Sequence, residues 1–148
     1  GDALAGFELA EAELDGIKEL SAAYNRPVAR LSDGQALAPF VTAMMDISDG
    51  LLLDAGRMAA ASKVEIRIDV DALPLSAAYR MMRGDGIDSR LQAASWGDDY
   101  QLLFTAPADV SLPIAATALG SVGEGSGLAL FDAGVRIPLP PSLGYQHH

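Results

Sequence analysis

The stretch Met44-Met45-Asp46-Ile47-Ser48-Asp49-Gly50 places two carboxylates and a hydroxyl within the four positions Asp46 to Asp49. Such hard oxygen donors hold Mg²⁺ against phosphate oxygens. With nothing positive or protonated between them, two acids this close repel. A second acidic pair, Asp98 and Asp99, follows Gly97 and precedes Tyr100, with Trp96 just upstream. Acids flanked by aromatic rings suit a flat cationic ligand, because the rings offer a face and the acids offer charge. Both motifs also have plain structural readings. Ser48 and Asp49 are good helix-capping residues, which leaves Asp46 merely exposed. Asp98 and Asp99 can close a solvated turn at the mouth of a strand, and Trp96 can serve packing alone.

Sharper motifs do not fit. An EF-hand needs an acidic ligand at loop position 12, and counting from Asp46 that position is Arg57. A P-loop needs a Lys beside the Ser or Thr and a longer glycine pattern. Gly123-Glu124-Gly125-Ser126-Gly127 is glycine-rich, but Leu128 to Phe131 reads as strand and not helix. That segment is predicted to be a hairpin turn.

The elements that must position these residues follow from periodicity. Residues 3–24 are rich in Ala, Leu and Glu, with Leu9, Leu14, Ile17 and Leu20 near helical spacing. Ser32 or Asp33 is expected to cap a short helix that Pro39 disturbs. Residues 41–46 read as a short buried strand. From Leu51 the stripe Leu51, Leu52, Ala55, Met58, Ala59 predicts a helix that ends near Ser62, with Ser48 at the N-cap. A strand-to-helix turn of this kind aims backbone N–H groups at one spot, which suits anions. Val64, Ile66, Ile68 and Val70 alternate with Glu65, Arg67 and Asp69, the signature of a half-buried strand. Two short helices are expected around Gly84–Gly86, and a strand across Tyr100–Thr105 that Pro107 closes. The Pro-rich tail is expected to be irregular. Helices and strands mix without strict βαβ alternation, which predicts an α+β fold with a mixed, mostly antiparallel sheet packed with helices.

Composition narrows the function classes. A chain of 148 residues fits one domain with a real core. The net charge of −10 argues against a nucleic-acid partner, which needs a basic face. The same charge permits metal ions and cationic ligands, and it also serves solubility. No apolar run reaches the roughly 18 residues of a membrane span. The chain has no cysteine. Disulfides, thiolate nucleophiles and Cys-based zinc sites are thereby excluded, and a cytoplasmic location is expected.

The two acidic motifs, taken together, resemble a known family. Residues 45–76, MDISDGLLLDAGRMAAASKVEIRIDVDALPLS, followed by GDDYQLLFTAP at 97–107, closely resemble the C-terminal half of thiamine-monophosphate kinase. GDALAG at 1–6 and GYQHH at 144–148 resemble that family's domain-entry and C-terminal segments. The resemblance covers nearly the whole chain, in the right order. It implies the α/β C-terminal domain of the superfamily shared with aminoimidazole ribonucleotide synthetase and selenophosphate synthetase. Residues 1–146 are expected to be that single domain of a longer kinase, with His147 and His148 read as native or as a tag remnant.

The activity the resemblance implies is transfer of the ATP γ-phosphate to thiamine monophosphate, which gives thiamine diphosphate. Asp46 and Asp49 match the family's magnesium-binding carboxylates, and Ser48 matches a nucleotide contact. Asp98 falls where the family usually carries Glu against the substrate. Tyr145 lies in the aromatic segment that approaches the thiamine end, and His148 stands where a terminal aromatic is common. Several Mg²⁺ ions, an N-terminal half holding much of the ATP site, and dimerisation through that half are implied as well. The fragment alone is expected to be inactive. The competing readings are another ATP-dependent synthetase of the superfamily and a non-catalytic binding or oligomerisation module.

Overall fold

The computed structural model describes residues 1–11 and 18–145. Two helices open the chain, α1 (Asp2–Glu11) and α2 (Lys18–Asn25). They pack through Ala5, Leu9 and Leu20, and the Phe7 and Tyr24 rings meet edge to face at 5.6 Å. The expected contributions of Leu14 and Ile17 lie outside the described residues. Helix α3 (Leu31–Leu37) starts from Arg30 and not from a Ser or Asp cap, since no side chain caps it. Asp33 instead sits in its first turn and pairs with Arg30 at 3.7 Å. The helix stops two residues before Pro39; Ala38 still holds helical backbone, but Pro39 has no N–H with which to extend the ladder.

Strand β1 (Ala43–Asp46) leads into helix α4 (Leu51–Ser62). The strand is not buried as expected: it alternates between partly buried and exposed residues, with Met44 and Asp46 outward. Helix α4 presents Leu51, Leu52, Ala55, Met58 and Ala59 to the core, the stripe predicted for it. Lys63 ends it in the left-handed conformation, and its N–H reaches back to Ala59 and Ala60. The chain then enters β2 (Glu65–Asp69), whose Ile66 and Ile68 are buried while Arg67 is exposed. A 3-10 turn over Val70–Ala72 follows, then α5 (Ala77–Arg83) and α6 (Ile87–Ala94). Ser76 caps α5 by accepting the Tyr79 N–H at 3.0 Å.

The remaining strands are β3 (Leu102–Thr105), β4 (Gly120–Gly123), β5 (Gly127–Asp132) and β6 (Val135–Ile137). They form two sheets. β1 and β3 pair antiparallel, and β4-β2-β5-β6 form a four-stranded sheet in which only β2 and β5 run parallel. The α+β expectation of a mixed, mostly antiparallel sheet is met. The glycine-rich segment is not a hairpin, however. β4 and β5 do not pair; they flank β2, with Gly123 and Gly127 both opposite Glu65. The glycines therefore carry the chain across the end of β2. Local turn signals cannot show that a third strand lies between two neighbours in sequence. Nor is the tail wholly irregular: β5 and β6 form a hairpin whose turn is Ala133–Gly134, both at positive φ.

The main core joins α4 to the four-stranded sheet through Leu52, Ile68, Val70 and Leu130, all nearly inaccessible to water. Ile47 belongs to the same core, so the residue between the two acidic positions anchors their turn. A satellite core gathers α1, α2, α5 and α6 around Tyr79.

Candidate functional site

The turn between β1 and α4 holds the first acidic motif. Asp46 is the last residue of β1, exposed and opposite Leu102. Ile47 turns inward, and Asp49 is buried to 9% exposure. Ser48 does not cap α4, because Gly50 stands at the N-cap and no side chain bonds there. Instead the Ser48 and Asp49 N–H groups both donate to Asp54 Oδ2, at 3.0 and 3.1 Å. These amides are thus spent on a side chain and do not offer an anion site. Asp54 is fully buried, and its other oxygen accepts from Arg57 at 2.8 Å. The same Arg57 Nη1 donates to Asp49 Oδ2. The two carboxylates, Asp49 first, raise the pKa of Arg57, so its charge is secure.

Backbone hydrogen bonds bring the second motif onto the first. Tyr100 N–H donates to Ile47 O at 3.0 Å, Ile47 N–H to Gln101 O at 2.9 Å, and Asp98 N–H to Ser48 O at 2.9 Å. The C-terminal segment joins them, with Tyr145 N–H donating to Asp49 O at 2.8 Å and Leu53 N–H to Leu143 O at 3.1 Å. Two glycines make this approach possible. A Cβ on Gly97 would lie 2.2 Å from Ser48 O, and one on Gly144 would lie 2.4 Å from Asp49 O. Neither distance is available to a side chain, so the site's convergence depends on both residues.

The acids of the second motif part ways. Asp98 is exposed and holds a left-handed backbone with φ 63°, which Asp tolerates better than most residues. Asp99 is partly buried and turns to α1, where it accepts from the Ala3 N–H at 3.4 Å and from the Gly1 nitrogen. It tethers a helix start and does not face the first motif's turn. Tyr100 is also left-handed, φ 49°, an uncommon state for an aromatic residue. Its hydroxyl lies 3.3 Å from Asp98 Oδ1. The Asp98 charge chiefly raises the Tyr100 pKa, followed by burial, with Asp46 and Asp49 adding to it. Asp46, Asp49 and Asp98 therefore share one electrostatic neighbourhood. Tyr145 stands beside it at 63% exposure. Trp96 is instead engaged with Phe7, ring centroids 5.5 Å apart. Of the two aromatics expected to flank a ligand, only Tyr100 accompanies the acids.

The donor chemistry of Asp46, Ser48 and Asp49 fits a hard cation, all oxygen and mostly anionic. The number does not suffice alone: among the described residues no group of three or more acidic, His or Cys side chains could hold a metal. The set fits an ion whose other ligands come from phosphate or from further protein. A cavity of about 670 Å³ adjoins both motifs through Ile47 and Asp99 and is lined further by Arg30, Leu37, Leu51 and Gln101 among others. None of Asp46, Ser48, Asp49, Asp98 or Tyr145 borders it. Asp46, Asp98 and Tyr145 are exposed, so this face of the acidic site is open to solvent. Sequence reasoning missed Asp54 and Arg57. A signal existed, since Asp54 falls at helical spacing between Leu51 and Met58, on the edge of an apolar stripe where a charge needs partners.

Comparison with known proteins finds relatives over most of the chain. The family model for the AIR synthase related protein, C-terminal domain, matches residues 5–132. The chain is 38% identical over 128 residues to thiamine-monophosphate kinase of Salmonella typhimurium, covering 83% of this chain and 39% of that protein. It is 37% identical over 134 residues to thiamine-monophosphate kinase of Aquifex aeolicus, covering 86% of this chain and 44% of that protein. The structure of AaThiL complexed with AMPPCP and TMP superposes with a TM-score of 0.80 at 34% identity, over 98% of this chain and 48% of that one. Thiamine-monophosphate kinase from Stenotrophomonas maltophilia K279a gives 0.78 at 33% identity, over 93% and 48%. The chain thus spans less than half the length of the relatives it matches.

Proposed function

Because the chain belongs to the family of the AIR synthase related protein C-terminal domain, we propose that it is that domain of a kinase making thiamine diphosphate. The kinase would transfer the γ-phosphate of ATP to thiamine monophosphate. One observation carries the reading: backbone hydrogen bonds draw the 46–49 turn, the 97–100 turn and Tyr145 into a single surface. That surface is acidic and open, as expected of one face of a site that a further domain completes. In this reading residues 1–146 are the C-terminal domain, and an N-terminal half supplies the rest of the ATP site and the dimer contact.

Each residue then has a task. Asp46 and Asp49 hold divalent cations, several Mg²⁺ in the complete enzyme. When bound, Mg²⁺ neutralises phosphate charge so that two anionic substrates can approach. Ser48 lies between the two carboxylates, where its hydroxyl can donate to a nucleotide phosphate oxygen. Asp98 sets a negative charge near the cationic thiazolium of the acceptor, and Tyr145 offers it a ring face. In-line transfer breaks the β–γ bridge and forms a bond to the acceptor phosphate oxygen, so it needs orientation and charge neutralisation but no covalent protein intermediate. The absence of cysteine suits a cytoplasmic enzyme. No helix among the described residues is long and apolar enough to cross a membrane.

The family model alone also admits another ATP-dependent synthetase, and the thiamine-monophosphate kinase relatives favour the kinase reading. The test is direct. The full-length protein, given ATP and thiamine monophosphate with Mg²⁺, is expected to form ADP and thiamine diphosphate in equal amounts. ATP consumption that does not depend on thiamine monophosphate would refute the assignment.

A further inference from the structure

We propose that Asp54 and Arg57 are positioning residues that set the carboxylate of Asp49 for its cation, an inference that rests on the function proposed above. Asp54 cannot hold a ligand itself. It is fully buried, and both oxygens are engaged: Oδ2 with the Ser48 and Asp49 amides, Oδ1 with Arg57. A buried carboxylate is tolerated only with such partners. Its effect on any ligand must pass through the groups it holds.

Those groups are the consecutive amides of Ser48 and Asp49 and the guanidinium that grips Asp49. Asp54 fixes where Asp49 begins, and Arg57 fixes where its carboxylate points. Both anchors stand on α4, whose buried stripe is locked into the main core. The rigid helix therefore sets the geometry of that carboxylate. Asp46, at the end of β1, is positioned separately by strand pairing. The cation site is thus built from a helix-held and a strand-held acid.

A competing physical expectation has the opposite sign. If Arg57 merely occupied Asp49 as a resident positive charge, removing it would free the carboxylate and tighten cation binding. The full-length protein, stripped of metal, is titrated with Mn²⁺ and free Mn²⁺ is read by electron paramagnetic resonance. Arg57→Met is expected to weaken Mn²⁺ binding about tenfold, the low end of what loss of an outer partner costs a metal site. Arg57→Lys is expected to recover part of that loss. Asp54→Asn is expected to weaken binding at least as much, with melting temperature followed in parallel. Arg57 is half exposed, so its variants test the proposal even if Asp54→Asn fails to fold.

Asp49→Asn separates the two layers of the argument. Weaker binding in Asp49→Asn, with unchanged or tighter binding in Arg57→Met, overturns the positioning role alone. Unchanged Mn²⁺ binding in Asp49→Asn overturns the metal assignment and the proposal with it.

Discussion

At the scale of single residues, three acids near one another behave differently because their surroundings differ. Asp49 is buried and gripped by Arg57, Asp46 is exposed at a strand end, and Asp98 is exposed on a left-handed turn. Asp46→Asn is isosteric and touches no core, so the full-length enzyme should keep its melting temperature. Its turnover at limiting Mg²⁺ should fall at least about tenfold, because a cation loses one anionic ligand. Unchanged turnover would remove Asp46 from the site. Asp98→Asn gives a clean contrast of charge against shape, since Asn suits a left-handed turn as well as Asp does. We expect the KM for thiamine monophosphate to rise severalfold and the KM for ATP to stay nearly constant. An exposed pair is worth only about 0–1 kcal/mol, so a larger effect would mean that substrate desolvates Asp98. Equal KM values in both proteins would leave Asp98 a turn residue.

At the scale of elements, the site exists because turns from separate parts of the chain can touch. Gly97 lies against Ser48 O, closer than any side chain allows. Gly97→Ala should therefore push the 97–100 turn away from the 46–49 turn. Overpacking of this kind costs about 1–3 kcal/mol. A lowered melting temperature with a larger proportional loss of turnover would mark the broken contact, whereas a wild-type melt would show that the turn relaxes freely. The satellite core allows a pH test. Tyr79, on α5, is fully buried in that core, its hydroxyl donating at 3.1 Å to Ser89 O on α6. Burial raises its pKa above the ordinary tyrosine value near 10. Below that value both folded and unfolded chains keep the phenol neutral. Above it the unfolded chain loses its proton first, so stability falls as pH rises through about 10 toward the folded pKa. Thermal melts from pH 9 to 11 should show this fall, and Tyr79→Phe should flatten it; an identical slope in the variant would assign it to other groups.

At the scale of the whole molecule, a main and a satellite core meet an incomplete site. The main core ties α4 to the four-stranded sheet, and the satellite core adds the first helices. The acidic surface has no set of three or more metal-binding side chains among the described residues. The chain by itself should therefore melt in one cooperative transition and form no thiamine diphosphate above background. Calorimetry together with a turnover assay on the purified domain checks both halves. Robust turnover, freed of contaminating kinase, would show that the site is self-sufficient and that the domain assignment is wrong.

Much of this was settled by sequence alone. The apolar stripe of α4 and the alternation of β2 are local periodicities, and burial has only one way to satisfy each. The acidic motifs were visible for the same reason: their spacing is short and their chemistry narrow. Tertiary structure decided which partners each acid finds. Asp99 turned to α1 while Asp98 stayed beside Tyr100, although the two are adjacent in the chain. Ser48 is not the cap because α4 begins only at Leu51, with Gly50 at the N-cap, while the Ser48 amide is held by Asp54. The glycine-rich segment passed over β2 because sheet order, and not turn composition, chooses strand neighbours. Periodicity reports the face an element buries. Contacts across 50 or 100 residues depend on how those faces stack, and no local pattern carries that information.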